Sequence, residues 1–313
     1  MFDPLQPFLN CSGFVILDGG LATDLERRGA NLNDSLWSAM LLLDNPELIR
    51  QVHEDYYLAG ADVATTATYQ ATFAGLARRG LDSAQAADVM RRSVRLAQEA
   101  RDWFWSRAER RAGRLRPLVA ASIGCYGASL HDGSEYRGDY GLSREQLQDF
   151  HRPRMEVLAG SGADLLACET IPCQVEAEAL VRVLTEFPEM PAWISFSCKD
   201  KGHVCHGECL ADCVGIAAGC AQVVAVGINC TPPRFISDLL KSVAGVTHKP
   251  LLVYPNRGEN WNARTYSWEA APEPPLDWGR AVRDWHAAGA RIIGGCCRTT
   301  PDDIRRIAQA LRN

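Results

Sequence analysis

Short apolar runs alternate with longer stretches in which apolar positions recur every three or four residues, and this alternation repeats along the whole chain. Runs at residues 14–17, 62–66, 118–122, 164–168, 192–197, 223–228, 251–254 and 291–293 predict buried strands. The clearest helical patterns follow them at 46–58, 83–103, 144–158, 173–186 and 302–311. A local signature recurs where helix gives way to strand: Ala59-Gly60-Ala61-Asp62, Ser161-Gly162-Ala163-Asp164 and Ala288-Gly289-Ala290-Arg291, with a looser version at Ala218-Gly219-Cys220-Ala221. A glycine at that point can end the helix in a left-handed conformation, and the small residues after it can start a buried strand.

Such alternation requires a mostly parallel sheet. Eight strand-helix units predict an α/β fold closed into a (β/α)8 TIM barrel rather than an open doubly wound sheet. A length of 313 residues would accommodate two ordinary domains, but no low-complexity linker divides the chain. Residues 1–313 are therefore expected to form one barrel domain. The longer insertions, at 19–45, 123–141 and 255–275, follow strands 1, 3 and 7, on the side where such a barrel keeps its active site.

Composition narrows the partners. With 33 Lys and Arg against 38 Asp and Glu, and a net charge of -5, the chain offers no basic stripe for a phosphate backbone, so nucleic acid is not an expected partner. No apolar run is long enough to span a membrane, and the start Met1-Phe2-Asp3-Pro4-Leu5 lacks the basic and apolar segments of a signal peptide. Twelve cysteines without an export signal predict reduced thiols in a cytoplasmic protein rather than a disulfide framework.

Three of those cysteines stand out by position. Cys230 ends the run Gly227-Ile228-Asn229-Cys230, and Cys296 and Cys297 follow Ile292-Ile293-Gly294-Gly295. Each lies just past a predicted strand, so all three can meet at the C-terminal mouth of the barrel. Three soft thiolates with an open fourth position make the donor set of a catalytic zinc ion. Adjacent strand residues face opposite ways, so Cys296 and Cys297 can share one metal only where the chain leaves the sheet, and Gly294-Gly295 permits that bend. The alternative for any one of them is a small buried apolar side chain, since free cysteine is often buried.

Together with the runs that carry these cysteines, Gly227-Ile228-Asn229-Cys230 and Gly294-Gly295-Cys296-Cys297, three further segments carry a family resemblance: Leu17-Asp18-Gly19-Gly20, Thr65-Thr66-Ala67-Thr68-Tyr69 and Cys168-Glu169-Thr170. The chain resembles the zinc-dependent homocysteine S-methyltransferase family over nearly its whole length, with the motifs in order at strand ends. Within that family, Asp34-Ser35-Leu36-Trp37-Ser38 and the stretch Asp132 through Tyr140 are similar to the compact bacterial enzymes that use S-methylmethionine or S-adenosylmethionine.

The resemblance implies one Zn2+ per chain on Cys230, Cys296 and Cys297, with the homocysteine thiolate in the fourth position. It implies that Asp18 and Glu169 accept hydrogen bonds from the substrate ammonium, and that Gly19, Gly20 and Thr66 face its carboxylate. Read without it, Asp18 is a turn residue and Glu169 a helix-terminus charge. Trp37 matches a donor-side aromatic, and Tyr69, Tyr126 and Tyr136 lie on mouth-side segments where ring faces could hold a sulfonium cation. Asn229 and Asn256 are mouth-side as well and could reach a donor carboxylate or fix a ligand loop.

Several expectations remain open at this level. A selenol acceptor such as selenocysteine or selenohomocysteine, or betaine as donor, would use the same scaffold. The cluster Cys198, His203, Cys205, His206, Cys209 and Cys213 departs from the family pattern after strand 5 and has spacing that could hold a second metal. A non-catalytic zinc-storage or redox-sensing protein would exploit the many thiols, but leaves Asp18, Thr66 and Glu169 without a role. Donor preference and oligomeric state are not written in the residues.

Overall fold

Eight parallel strands close on themselves in the computed structural model, which describes residues 2–32, 36–262, 267–269 and 276–312. The strands are β1 (Val15–Ile16), β2 (Val63–Thr65), β3 (Leu118–Gly124), β4 (Leu165–Ile171), β5 (Ala192–Phe196), β6 (Val223–Asn229), β7 (Leu251–Tyr254) and β8 (Ala290–Ile293). Each pairs with its successor from β2 to β8, and β8 returns to β1. A parallel bridge from Leu17 to Val63 closes the ring, with Asp62 N donating to Ile16 O at 2.7 Å and Asp18 N to Val63 O at 3.1 Å. The predicted (β/α)8 barrel is the observed fold.

The period of two along each strand sorts the side chains into two cores. Val15, Leu17, Val63, Ala120, Leu165, Ala167, Trp193, Ala225, Leu252, Tyr254 and Ile292 point inward and fill the barrel. Ile16, Val119, Ala121, Leu166, Ile194, Val226, Val253 and Ile293 point outward against the helices. Leu5 and Phe8, around a short helix Gln6–Ser12 that the sequence pattern did not reveal, join the inner cluster and plug the end away from the mouth.

The outer helices are α1 (Pro46–Ala59), α2 (Ser83–Trp105), α3 (Arg144–Ala159), α4 (Gln174–Leu184), α5 (Leu210–Ala218), α6 (Pro233–Val243), α7 (Trp278–Ala287) and α8 (Pro301–Arg312). Reciprocal capping boxes start α2, between Asp82 and Gln85, and α3, between Ser143 and Gln146. The predicted glycine joints hold at Gly60, Gly162 and Gly289, all at positive φ. Gly219 ends α5 at φ -68° instead, so the looser version of the signature works by a different geometry.

Strands β3, β4 and β6 run further toward the mouth than their apolar runs suggested. Their ends are small or polar, Gly124, Glu169-Thr170 and Asn229, and pairing with neighbouring strands rather than apolarity keeps them extended. Of the insertions, the one after β7 contains an antiparallel pair, Asn260–Asn262 with Ser267–Glu269. Asp34 and Ser35 of the donor-side motif lie outside the described residues.

Candidate active site and metal centre

A cavity of about 520 Å³ opens at the C-terminal ends of the strands. Cys230, Cys296 and Cys297 line its floor, and their sulfur atoms lie within 4.8 Å of one another. The Cys230 Sγ to Cys297 Sγ separation is 3.6 Å. Zinc–sulfur bonds of about 2.3 Å in a tetrahedron place neighbouring sulfurs about 3.8 Å apart, so the spacing already suits that ion. Hydrogen bonds from Cys296 and Cys297 hold the Cys230 thiol well below its usual range, and these contacts with Cys230 push the other two up. A cation at their centre relieves that opposition, and the donor set therefore fits a single Zn2+.

The local backbone explains how two adjacent cysteines reach one point. Cys296 N donates to Pro255 O at 2.8 Å and Arg257 N to Cys297 O at 3.1 Å, so the turn after β8 is laced to the segment after β7. Thr299 Oγ1 donates to Cys296 O at 2.6 Å and accepts from Gly20 N at 3.0 Å, tying the same turn to the end of β1. Gly294 is needed for close approach: a Cβ there would sit 2.6 Å from that of Leu17. The left-handed residue of this turn is Arg298, at φ 68°, whose N–H is held by Thr23 Oγ1 at 2.8 Å. The bend is thus made by packing against β1 and by Arg298, not by left-handed glycines.

Two buried carboxylates flank the thiols. Asp18 accepts from Thr65 N at 2.7 Å and from Thr65 Oγ1 at 2.9 Å. Burial still outweighs these bonds and raises its carboxyl to about 8, with the charge of Glu169 adding to the effect. Glu169 accepts from Ser122 Oγ and, at 3.1 Å, from Tyr254 OH, and burial raises it to about 7. Tyr254 OH is fixed in turn by Trp193 Nε1 at 3.1 Å and Ser195 Oγ at 2.5 Å. Ser122, Trp193, Ser195 and Tyr254 were not singled out by sequence. Each is an inward-facing position on its strand, and only the closed ring shows that these positions meet.

The remaining sequence candidates divide. Gly19, Gly20, Thr66 and Tyr69 line the cavity. The N–H groups of Gly20 and Thr66 are already engaged, by Thr299 Oγ1 and Ala120 O, each at 3.0 Å. Tyr136 also lines it, with its hydroxyl 3.2 Å from Cys230 Sγ. Asn229 lies beneath the floor, fully buried, and clamps Thr170 through two bonds of 2.8 Å. Asn256 holds its own loop by accepting from Gly258 N at 3.0 Å. Tyr126 packs edge-on against Tyr140 and Phe150. The Trp37 backbone begins a 3-10 turn, Trp37–Met40, and its side chain lies outside the described residues.

The cysteine and histidine cluster after β5 does not converge. Among the described residues, Cys230, Cys296 and Cys297 form the one group of three candidate ligands within reach of a shared ion. His203 is paired with Asp200 at 3.0 Å and His206 with Glu208 at 2.9 Å, while Cys198 and Cys213 are buried and Cys209 is exposed.

The chain is similar to known proteins over almost its whole length. The homocysteine S-methyltransferase family profile matches residues 15–311. The chain is 53% identical over 311 residues to the homocysteine S-methyltransferase YbgG of Bacillus subtilis, covering 99% of this chain and 98% of the relative. It is 48% identical over 308 residues to a selenocysteine Se-methyltransferase of Brassica oleracea, covering 96% and 89%. The metallated form of the homocysteine methyltransferase MmuM from Escherichia coli superposes with a TM-score of 0.88 at 50% identity, covering 98% of this chain and 99% of that one. The motifs at the strand ends, the barrel that gathers them and these likenesses agree, and the chain belongs to the homocysteine S-methyltransferase family.

Proposed function

We propose that this chain moves a methyl group from a sulfonium donor, S-methylmethionine or S-adenosylmethionine, to the sulfur of L-homocysteine, giving L-methionine. The observation that carries the reading is the joint opening of the three thiols and the carboxylates of Asp18 and Glu169 into one cavity. The charge of the walls supports a cationic donor: Asp18, Glu26, Glu135 and Glu169 line the cavity, and among its described lining residues there is no Lys or Arg. Cys230, Cys296 and Cys297 would hold one Zn2+, which when bound deprotonates a substrate thiol near neutral pH and keeps it nucleophilic.

The protein groups set the stage for that transfer. Asp18 and Glu169 accept hydrogen bonds from the homocysteine ammonium, and Thr65, Ser122 and Tyr254 fix both carboxyls in place in the cavity wall. The raised carboxyls mean that the arriving ammonium favours loss of protons that burial had retained. Gly19, Gly20 and Thr66 shape the wall beside the substrate, Trp37 and Tyr69 are read as donor-side aromatics, Asn229 steadies the strand ends beneath, and Asn256 steadies its own loop. Tyr136 OH holds the Cys230 sulfur in place. Charge is neutralised as the methyl moves, so a recess that excludes water favours the transition state.

Residues 1–313 are read as one homocysteine-binding barrel domain. A cytoplasmic setting suits twelve cysteines that are all free in the structure. Among the described residues, no helix is long and apolar enough to cross a membrane. The Brassica relative favours testing a selenol acceptor beside homocysteine. The experiment is methionine formation by zinc-loaded protein with homocysteine and S-methylmethionine, S-adenosylmethionine or betaine, each with and without a chelator. Chelator-sensitive turnover with a sulfonium donor is expected. Turnover with betaine alone, or turnover indifferent to the chelator, would sink the reading.

A further inference from the structure

Of the four carboxylates that line the cavity, Glu135 differs from Asp18 and Glu169. Asp18 and Glu169 each accept hydrogen bonds from neutral protein donors, whereas Glu135 Oε2 is buried beside the cavity with no partner at all. A buried, unpartnered carboxylate oxygen is costly, and it persists where a ligand satisfies it. The neighbouring Arg137 does not do so: its ion pairs run to Asp139 at 3.3 Å and Asp132 at 3.7 Å, and its Nη2 donates to Ser134 Oγ at 2.7 Å.

The backbone holds Glu135 where it is. It lies in a 3-10 turn, Ser134–Tyr136, whose last residue, Tyr136, places its hydroxyl 3.2 Å from Cys230 Sγ. Ser197 Oγ donates to the Glu135 carbonyl at 3.2 Å. Gly127 packs so tightly beneath that a Cβ there would lie 2.5 Å from Glu135 N. Glu135 lines the same cavity as Cys230, Cys296 and Cys297.

We propose that Glu135 recognises the positive charge of the methyl donor, so that the site takes sulfonium donors and releases the neutral thioether left behind. The inference rests on the methyl-transfer reading above and adds the group that selects the donor. In the step itself, a lone pair on the homocysteine thiolate forms the new S–CH3 bond. The donor's S–CH3 bond breaks and leaves its electron pair on the donor sulfur, so a thiolate and a sulfonium become two neutral thioethers. The methyl hydrogens of a sulfonium are polarised and suit a carboxylate oxygen, as weak C–H···O contacts reinforced by full charge. That attraction is greatest in the ground state, fades as the bond breaks, and is gone in the product. Glu135 therefore acts on donor binding and product release more than on the chemical barrier.

The test is steady-state kinetics of zinc-loaded wild type, Glu135→Gln and Glu135→Asp with S-methylmethionine at saturating homocysteine, together with the inhibition constant of methionine against the donor. Glu135→Gln keeps the shape and removes the charge. It is expected to raise the donor KM about tenfold or more, the loss of one charge-assisted contact. Its kcat should stay within about threefold and its homocysteine KM and methionine inhibition within about twofold, because neither ligand carries a sulfonium charge. Glu135→Asp should recover part of the donor affinity. An unchanged donor KM, or equal weakening toward S-methylmethionine and methionine, overturns the proposal. So does an inactive Glu135→Gln, whether it keeps its zinc or loses it, because the carboxylate would then serve the chemical step or site assembly. Silence of the wild type with every sulfonium donor is a separate result and defeats the functional reading instead.

Discussion

Cys230 is held at φ 47°, a left-handed conformation that costs a non-glycine residue about 1–2 kcal/mol. Its N–H donates to Tyr254 O at 3.1 Å, and the next residue, Thr231, accepts from Cys198 N at 2.9 Å, so the surroundings hold it there. Strain of this kind persists only where the surroundings over-determine it, and here it falls at a sulfur that faces Cys297. Replacing Cys230 or Cys297 by alanine should remove both zinc retention and turnover. Zinc content by atomic absorption and methionine formation check this together, and either variant with one zinc per chain and a normal rate defeats the assignment. The three cysteines were legible in the sequence because each follows an apolar run whose end fixes its place. Tyr254 was not, because its hydrogen bonds reach Glu169 and Ser195 at separations of 85 and 59 residues, and no local pattern announces such a meeting.

At the scale of strands, the site depends on how closely β6 and β7 can approach. Gly227 faces Leu252 across that pair, and a Cβ there would collide with the Leu252 backbone, its N lying 2.8 Å away. Gly227→Ala forces the two strands apart just below Cys230. The expected cost is about 3 kcal/mol, at the upper end for overpacking, because main chain cannot turn aside as a side chain can. A urea titration measures it, and a midpoint equal to wild type would refute the packing argument. The strand count was readable because strands apolar on both faces leave short continuous apolar runs, and their alternation with helical patterns implied the parallel ring. The strand ends were misjudged for the opposite reason. Glu169, Thr170 and Asn229 are polar, yet ladder pairing and the Asn229–Thr170 clamp keep them in the sheet, and a hydropathy pattern stops where apolarity stops. Asn229 was read as a group that could reach a donor carboxylate or fix a ligand loop, and its two bonds go to Thr170 at the end of β4.

Taken as a whole, the molecule gathers carboxylates at one end of a barrel whose other end is sealed by Leu5 and Phe8, and this distribution makes stability depend on pH. Burial raises the carboxyl of Asp18 to about 8 and those of Glu169 and Glu135 to about 7, from ordinary values of 3.8 and 4.5. A carboxyl raised on folding binds its proton more tightly in the native state than in the unfolded one. Its contribution is therefore complete below about pH 4 and is lost as pH rises through 7 to 8. Between those limits one such group changes the unfolding free energy by about -1.4 kcal/mol per pH unit. The metal-free protein should lose stability from pH 5.5 to pH 8.5 in urea titrations, and Asp18→Asn, which has no proton to lose, should flatten the slope by that one group's share. Homocysteine and zinc supply positive charge to the same carboxylates and thiolates, so the loaded protein should show a shallower decline, with the gap between the loaded and metal-free midpoints widening as pH rises. A slope identical in wild type and Asp18→Asn would mean that Asp18 is already ionised in the empty site, and its role would then be fixed by its bonds to Thr65 rather than by the charge it gains when the substrate ammonium arrives.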